Sequence, residues 1–467
     1  MKKIFLFSTI AILSATVIIV SSCGGGQSKE GEAKSDTAGP TMSGPFQDHR
    51  DSVPTKAQYD GPLFVLSHNY PTTAQALVNP PWQQALNGQP IDSANTIAYM
   101  NALKNYIAAN LLPFFTNNKE WTAAKYGWFQ EPWMGADREA ILGAYLGNGN
   151  DSGMFTTLNE PEAGYAVVLY DSLAGYTVGQ IWGTTGQKVN LVNDAAQFKE
   201  GSVIVKLAFS NINAPQWPVM QGAQTFSIYD TGATTGNPKT GYQVRTVSFF
   251  QMDVIVKDSK TAPKTGWVYS TFVYDMNATG TSYWDKMVPL GAMWGNDPDV
   301  KSPQQPPYPK LYETVINPAA PKYSTETLGW GGRLSGPNDG AVANNVTDYT
   351  THQVYPRLAL SSCMSCHIPA QDTFKSFLMP SPYLDFRGIV YTPGSPDWMK
   401  WFRDDYGNVA FNAGQVGMDY DMVMAYKSIG NWTQNQPSSP QNTMLLQNFR
   451  AIRKYRLHRS DKSQFWH

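Results

Sequence analysis

The chain has 467 residues, with 35 Lys and Arg against 36 Asp and Glu and a net charge of −1; it carries no basic excess with which to hold a nucleic-acid backbone. Hydrophobic residues at 42%, including 14 Trp and 25 Tyr, supply a real core. The 32 Pro and 39 Gly predict many turns and short elements, which favours a β-rich or mixed architecture.

Residues 1–22 read as a secretory signal: Lys2 and Lys3, an apolar run over 4–20, then small residues. The string V-S-S-C at 20–23 resembles a bacterial lipobox, which makes Cys23 the lipidated first residue of the mature chain. An uncleaved anchor is the other reading, because a run of about 17 apolar residues lies at the short limit for spanning a bilayer. Either way the body leaves the cytoplasm. Residues 23–48 are Gly, Ser and charge-rich and form a flexible tether, reaching about 25–30 Å. No later segment is long and apolar enough to span a bilayer.

The remaining chain, about 445 residues after signal removal, predicts two or three domains or one large one. Residues 49–150 read as a helical N-terminal region. Its clearest helix covers 92–115, with Ile97, Met100, Leu103, Tyr106, Ile107 and Leu111 at helical spacing, Asp92 or Ser93 to cap it, and Pro113 to stop it. Residues 151–300 read as a β-rich domain. The β-branched and aromatic runs 164–171, 201–210, 245–256 and 265–275 are bounded by turn residues. Val203, Val205 and Leu207 alternate with Ile204, Lys206 and Ala208. Residues 296–350 are rich in Gly and Pro, either as ordinary turns or as a loop packed on whatever the C-terminal region holds. The class expected is α+β: a central, mostly antiparallel sheet or barrel with flanking helices, and a loop-rich, helical region over 301–467.

That last region holds S-S-C-M-S-C-H at 361–367. With 3 Cys and 6 His in the chain, random placement yields a C-x-x-C-H string in only about 2 of 10,000 chains. Covalent haem attachment explains it. Cys363 and Cys366 would form thioethers to one haem c, and His367 would be the proximal iron ligand. A redox dithiol is a second reading, but Pro369 follows at once and no strong strand pattern precedes. Half a zinc site is a third, although the remaining His49, His68, His352, His458 and His467 are scattered. For a sixth iron ligand Met418 has the best spacing. Met379, Met399, Met422, Met424 and His352 are alternatives, as is no protein ligand at all.

Within 397–406, Trp398, Trp401 and Phe402 read as an amphipathic turn that packs on the haem or forms a local core, and Arg403 as a propionate partner or a surface residue. Residues 419–431 read as a final helix ending near Gly430. The basic tail at 450–459 is a solvated face or a docking surface. No catalytic signature such as G-x-S-x-G or H-E-x-x-H occurs.

Several strings together resemble a family of large monohaem c-type cytochromes from bacteria: W-F-Q-E-P-W-M at 128–134, G-Y-T-V-G-Q-I-W at 175–182, T-G-W-V-Y-S-T-F-V-Y-D at 265–275, M-W-G-N-D-P at 293–298, G-R-L-S-G-P at 332–337, S-S-C-M-S-C-H, and W-F-R at 401–403. The resemblance implies a haem protein outside the cytoplasm and no particular activity. A narrower one rests on F-K-E-G-S-V-I-V-K at 198–206, the Gly-Trp aromatic strand and the late C-x-x-C-H. It is similar to the β-barrel c-type cytochromes with a lysine-linked haem that oxidise hydroxylamine. No cross-linking lysine or catalytic carboxylate carries over from it. The expectation is a membrane-anchored lipoprotein facing the periplasm, passing single electrons to a redox partner or a membrane respiratory complex. The alternatives are a haem enzyme acting on a small nitrogen or oxygen species, and a haem-bearing subunit of a larger complex.

Overall fold

The β-branched runs do form one sheet. The computed structural model describes residues 48–49, 52–132, 138–183, 190–192, 194–232, 241–302, 306–372, 381–384 and 388–425. Cys23, the tether up to residue 47, Met379, Gly430 and the basic tail lie outside the described residues. Eight strands build the sheet: β1 (Tyr145–Asn150), β2 (Glu162–Tyr170), β3 (Val203–Ser210), β4 (Thr225–Asp230), β5 (Gln243–Lys257), β6 (Trp267–Tyr274), β7 (Met287–Met293) and β8 (Thr314–Ile316). Their order is β1-β2-β3-β5-β6-β7-β8, and every pairing is antiparallel. The first half of the long β5 pairs with β4, and the second half with β3. The sheet is open rather than a closed barrel.

Among the described residues these complete helices accompany it: α1 (Pro81–Gln84), α2 (Thr96–Thr116), α3 (Ser172–Trp182), α4 (Lys322–Thr325) and α5 (Cys363–His367). Helix α2 runs through Pro113 to Thr116 instead of stopping there. A proline one turn from the end removes a single N–H, and its carbonyl still accepts from Asn117 N at 2.8 Å. Asn95 occupies the N-cap position, and Asp92 takes the Ala94 and Asn95 amides in the turn before it. Composition hid α3 because Gly175 and Gly179 weaken its pattern. Both are close approaches: a Cβ on Gly175 would lie 2.7 Å from the Phe129 ring, and one on Gly179 2.6 Å from Tyr70 Cβ. Asp171 caps the helix by accepting from Ala174 N at 2.7 Å.

Strand alternation sorts the two faces of the sheet. Val203, Val205, Leu207, Val254, Val256 and Val268 face α2, packing with Tyr99, Leu103, Ile107 and Leu111. Ile204, Ile255, Tyr269 and Val273 point the other way, into a second core with Cys363, Met364, Ile368, Met418, Tyr420, Met422 and Met424. The three segments distinguished by composition thus share cores, and the described residues fall in one contact unit.

The stretch expected to be loops also carries small sheets. Strands β9 (Val342–Asp348), β10 (Val354–Ala359) and β12 (Ile389–Val390) form one, and β11 (Gln371–Asp372) pairs with β13 (Val416–Gly417). β10 leads straight into α5, and β13 returns the chain to it. The amphipathic turn expected within 397–406 is a short 3₁₀ turn, Trp398–Trp401, whereas the final helix expected from 419 begins only at 422, because Asp419 and Tyr420 take left-handed backbone; residues 422–425 of it lie among the described residues.

Candidate haem-attachment site

The C-x-x-C-H string forms a single turn of helix because Ser362 and Ser365 cap each other: Ser362 Oγ accepts from Ser365 N at 3.2 Å, and Ser365 Oγ accepts from Ser362 N at 2.7 Å. Pro369 has no N–H to continue the helix, and Ala370 N closes the turn on His367 O at 3.0 Å. Within one turn, the i, i+3 and i, i+4 spacings bring Cys363, Cys366 and His367 to one side. Neither cysteine is in a disulfide.

His367 is the anchored member. Its Nδ1 donates to the Tyr420 carbonyl at 2.7 Å, which leaves Nε2 with the lone pair. Tyr269 meets the ring edge-on, with centroids 5.2 Å apart, and points its hydroxyl at the same carbonyl at 3.5 Å. His367 as a whole is half-buried, and desolvation by burial pushes its pKa down to about 4. The imidazole is neutral at neutral pH, the form that ligates a metal.

Cys363 lies over the polar centre of the same sheet face. Its Sγ donates to Asp339 Oδ2 at 3.7 Å. Lys206 Nζ pairs with Asp339 at 2.7 Å and Asp253 at 3.3 Å. Gln251 Nε2 bridges the two carboxylates, and Thr271 Oγ1 donates to Asp253 at 2.8 Å. Cross-strand register sets this row: Lys206 stands opposite Asp253, and Asp253 opposite Thr271. Burial raises the Asp253 pKa to about 6 against the pull of Lys206. Burial also pushes Asp339 up, but Lys206 overcomes it and holds that carboxyl low. The Cys363 thiol is raised well above its ordinary range, by burial first and then by the two carboxylates. Composition and spacing did not reveal this cluster. Its signal is a lysine and an aspartate in the middle of otherwise apolar strands.

The other sequence candidates are distributed as follows. Met418 is fully buried, and its amide donates to Ala370 O at 2.9 Å. It belongs to the segment whose Tyr420 carbonyl meets Nδ1. Met422 and Met424 are buried in the same core, whereas Met399 packs against the α2-side core. His352 is exposed at the β9–β10 turn; the six residues of β10 separate it from α5 by about 20 Å. Trp398 and Phe402 pack on Trp330, with ring centroids 5.6 and 4.8 Å away, and Trp401 packs on Phe411. They form a local aromatic core beside the entry to α5, where Trp330 N donates to Ser361 O at 2.9 Å. Arg403 pairs with Asp405 and donates to the Phe411 carbonyl. The Gly-rich loop around 329–337 lies against α5, and Leu334 O accepts from Cys363 N at 2.9 Å.

Two thiols and one oriented, neutral imidazole on a single turn are the donor set that a covalently attached haem needs. No family model, curated protein or solved structure matches this chain.

Proposed function

We propose that this chain is a monohaem c-type cytochrome that passes single electrons outside the cytoplasm, held to a bacterial membrane through a lipid on Cys23. The observation that carries the reading is the His367 Nδ1 bond to the Tyr420 carbonyl, next to two cysteines on the same capped turn. Cys363 and Cys366 would hold the haem, and His367 would offer Nε2 to its iron. The bound group supplies a one-electron couple whose potential follows axial ligation, burial and nearby hydrogen bonds. The chain's part is to orient the imidazole, keep it neutral, and shield that side with the Tyr269 core. A redox dithiol fits less well: its attacking thiol needs a lowered pKa, and burial moves Cys363 the opposite way.

A haem enzyme with an open distal site is a second reading, favoured by one observation. Met418 belongs to the buried segment whose Tyr420 carbonyl meets Nδ1, and iron would be held by the other ring nitrogen. One experiment separates these readings. The full chain is produced with export and haem-maturation machinery, stained for haem after denaturation, and recorded reduced with and without carbon monoxide. Covalent haem that ignores carbon monoxide supports electron transfer. Covalent haem that binds it at once favours the enzyme. A chain without covalent haem, when a control cytochrome matures normally, overturns both.

A further inference from the structure

The carbonyl that meets His367 is held by an unusual piece of backbone. Asp419 and Tyr420 both adopt left-handed conformations, with φ of 49° and 64°. Neither is glycine, so backbone sterics disfavour both, Tyr420 more than Asp419. Such strain persists only where the surroundings over-determine it. Here they do so through Asp419.

The Asp419 side chain is buried and takes three donors from three parts of the chain. Lys257 Nζ reaches Oδ1 at 2.5 Å, Trp267 Nε1 reaches Oδ1 at 2.8 Å, and the Phe198 amide reaches Oδ2 at 2.7 Å. Lys257 and Trp267 stand opposite each other on β5 and β6. The lysine ammonium also lies over the Trp267 and Tyr406 rings, 5.1 and 4.6 Å from their centroids. The Asp419 amide donates to Gly407 O at 3.0 Å. No side chain fits at Gly407, because its Cβ would fall 1.7 Å from Asp419 Oδ1. One residue on, the Tyr420 hydroxyl donates to Asp405 O at 2.7 Å, which pins that side chain while its carbonyl faces His367.

We infer that Asp419, clamped by Lys257 and Trp267, is a positioning residue that turns the Tyr420 carbonyl onto His367 Nδ1 and so selects the tautomer that leaves Nε2 free for a metal. A neutral imidazole carries its proton on either nitrogen, and the partner at one nitrogen decides the matter. That partner also raises the donor strength of the other nitrogen. The consequence for iron rests on the haem reading above; the consequence for the imidazole does not.

The test uses the full chain with and without haem, as wild type, Asp419→Asn and Trp267→Phe. In Asp419→Asn, an amide that keeps Oδ1 toward Lys257 and Trp267 sets its NH₂ against the Phe198 N–H. Trp267→Phe is the milder variant, removing one donor and no charge. Nitrogen-15 spectra of the His367 ring in the haem-free chain report the tautomer and the exchange of its proton. The loaded chain reports the midpoint potential. Wild type is expected as the Nδ1–H form. The variants should show a mixture with Nε2–H, ring-proton exchange faster by about fivefold (the loss of about 1 kcal/mol of hydrogen bonding), and a higher midpoint potential. Variants that fold as wild type does and keep its tautomer, exchange rate and potential overturn the inference and leave the haem reading standing. A wild type that takes up no covalent haem, with variants that still shift the tautomer, upholds the positioning role and removes the haem reading instead.

Discussion

His367 Nδ1 and the Tyr420 carbonyl lie 2.7 Å apart although 53 residues separate them in sequence. The bond joins the C-x-x-C-H turn to the returning segment after β13, and both rest on the same face of the central sheet. It gives the imidazole one orientation and one free nitrogen. Replacing both thiols, Cys363→Ala with Cys366→Ala, should leave no haem attached after denaturation. His367→Ala should retain haem stain with a spectrum shifted by loss of the axial nitrogen. Haem-stained gels and reduced optical spectra check both outcomes.

Arg333 is fully buried and donates to four carbonyls: Asn296, Trp330, Asp297 and Val300, at 2.7, 2.8, 2.7 and 2.8 Å. Its guanidinium also lies over Trp330 and Phe402. Arg333→Met leaves those acceptors without a donor and should destabilise the chain by about 4 kcal/mol or more, at about 1 kcal/mol or more per abandoned acceptor. Arg333→Lys should rescue little, since an ammonium lacks the planar fork. Urea unfolding of both variants measures the difference.

Lys206 stands between Asp253 and Asp339 with about a quarter of its side chain exposed. Burial would lower its pKa, but the two carboxylates outweigh this and raise it. Lys206→Met strands two carboxylates beside Cys363 and should cost about 2–4 kcal/mol at neutral pH. The loss should shrink on acidification as the aspartates take up protons. Denaturant unfolding at pH 5 and pH 8 tests the sign.

Glu162 is buried, with a pKa raised to about 7 chiefly by desolvation, while Asn150 and Ser210 hydrogen bonds pull it down. The folded state therefore holds this proton over a pH range in which the unfolded chain has released it. Its contribution is fully present below the unfolded value near 4.5 and is lost as pH rises toward 7. Melting temperature should fall as pH rises from 5 to 7, and Glu162→Gln should flatten that fall by about 2 °C or more. Calorimetric scans across this range decide it.

The core of the sheet was legible because strands buried on one or both faces need β-branched and aromatic runs, and 164–171, 201–210, 245–256 and 265–275 have them. Strands β1 and β7 were not legible. One reads Y-L-G-N-G-N, the other contains Pro289 and Gly291, and both borrow their stability from neighbours already in register. The same holds for α3, whose glycines make sense only once Phe129 and Tyr70 press against them. At the site, the thiols and imidazole could be read from spacing alone, since one helical turn is a local geometry. Asp253, Asp339, Lys257 and Asp419 could not, because each matters through a partner on another strand or loop.

By itself the sequence determined the chemistry available: two cysteines and a histidine at C-x-x-C-H spacing, an antiparallel sheet, and an N-terminal stretch that resembles a lipoprotein signal. These follow from covalent spacing and local periodicity, which act over a few residues. Tertiary structure alone decided which carbonyl meets His367, which face of the sheet lies under Cys363, and how two left-handed residues are held in place. Those contacts close loops of tens to hundreds of residues, and they exist only when burial of both sheet faces brings the distant segments together.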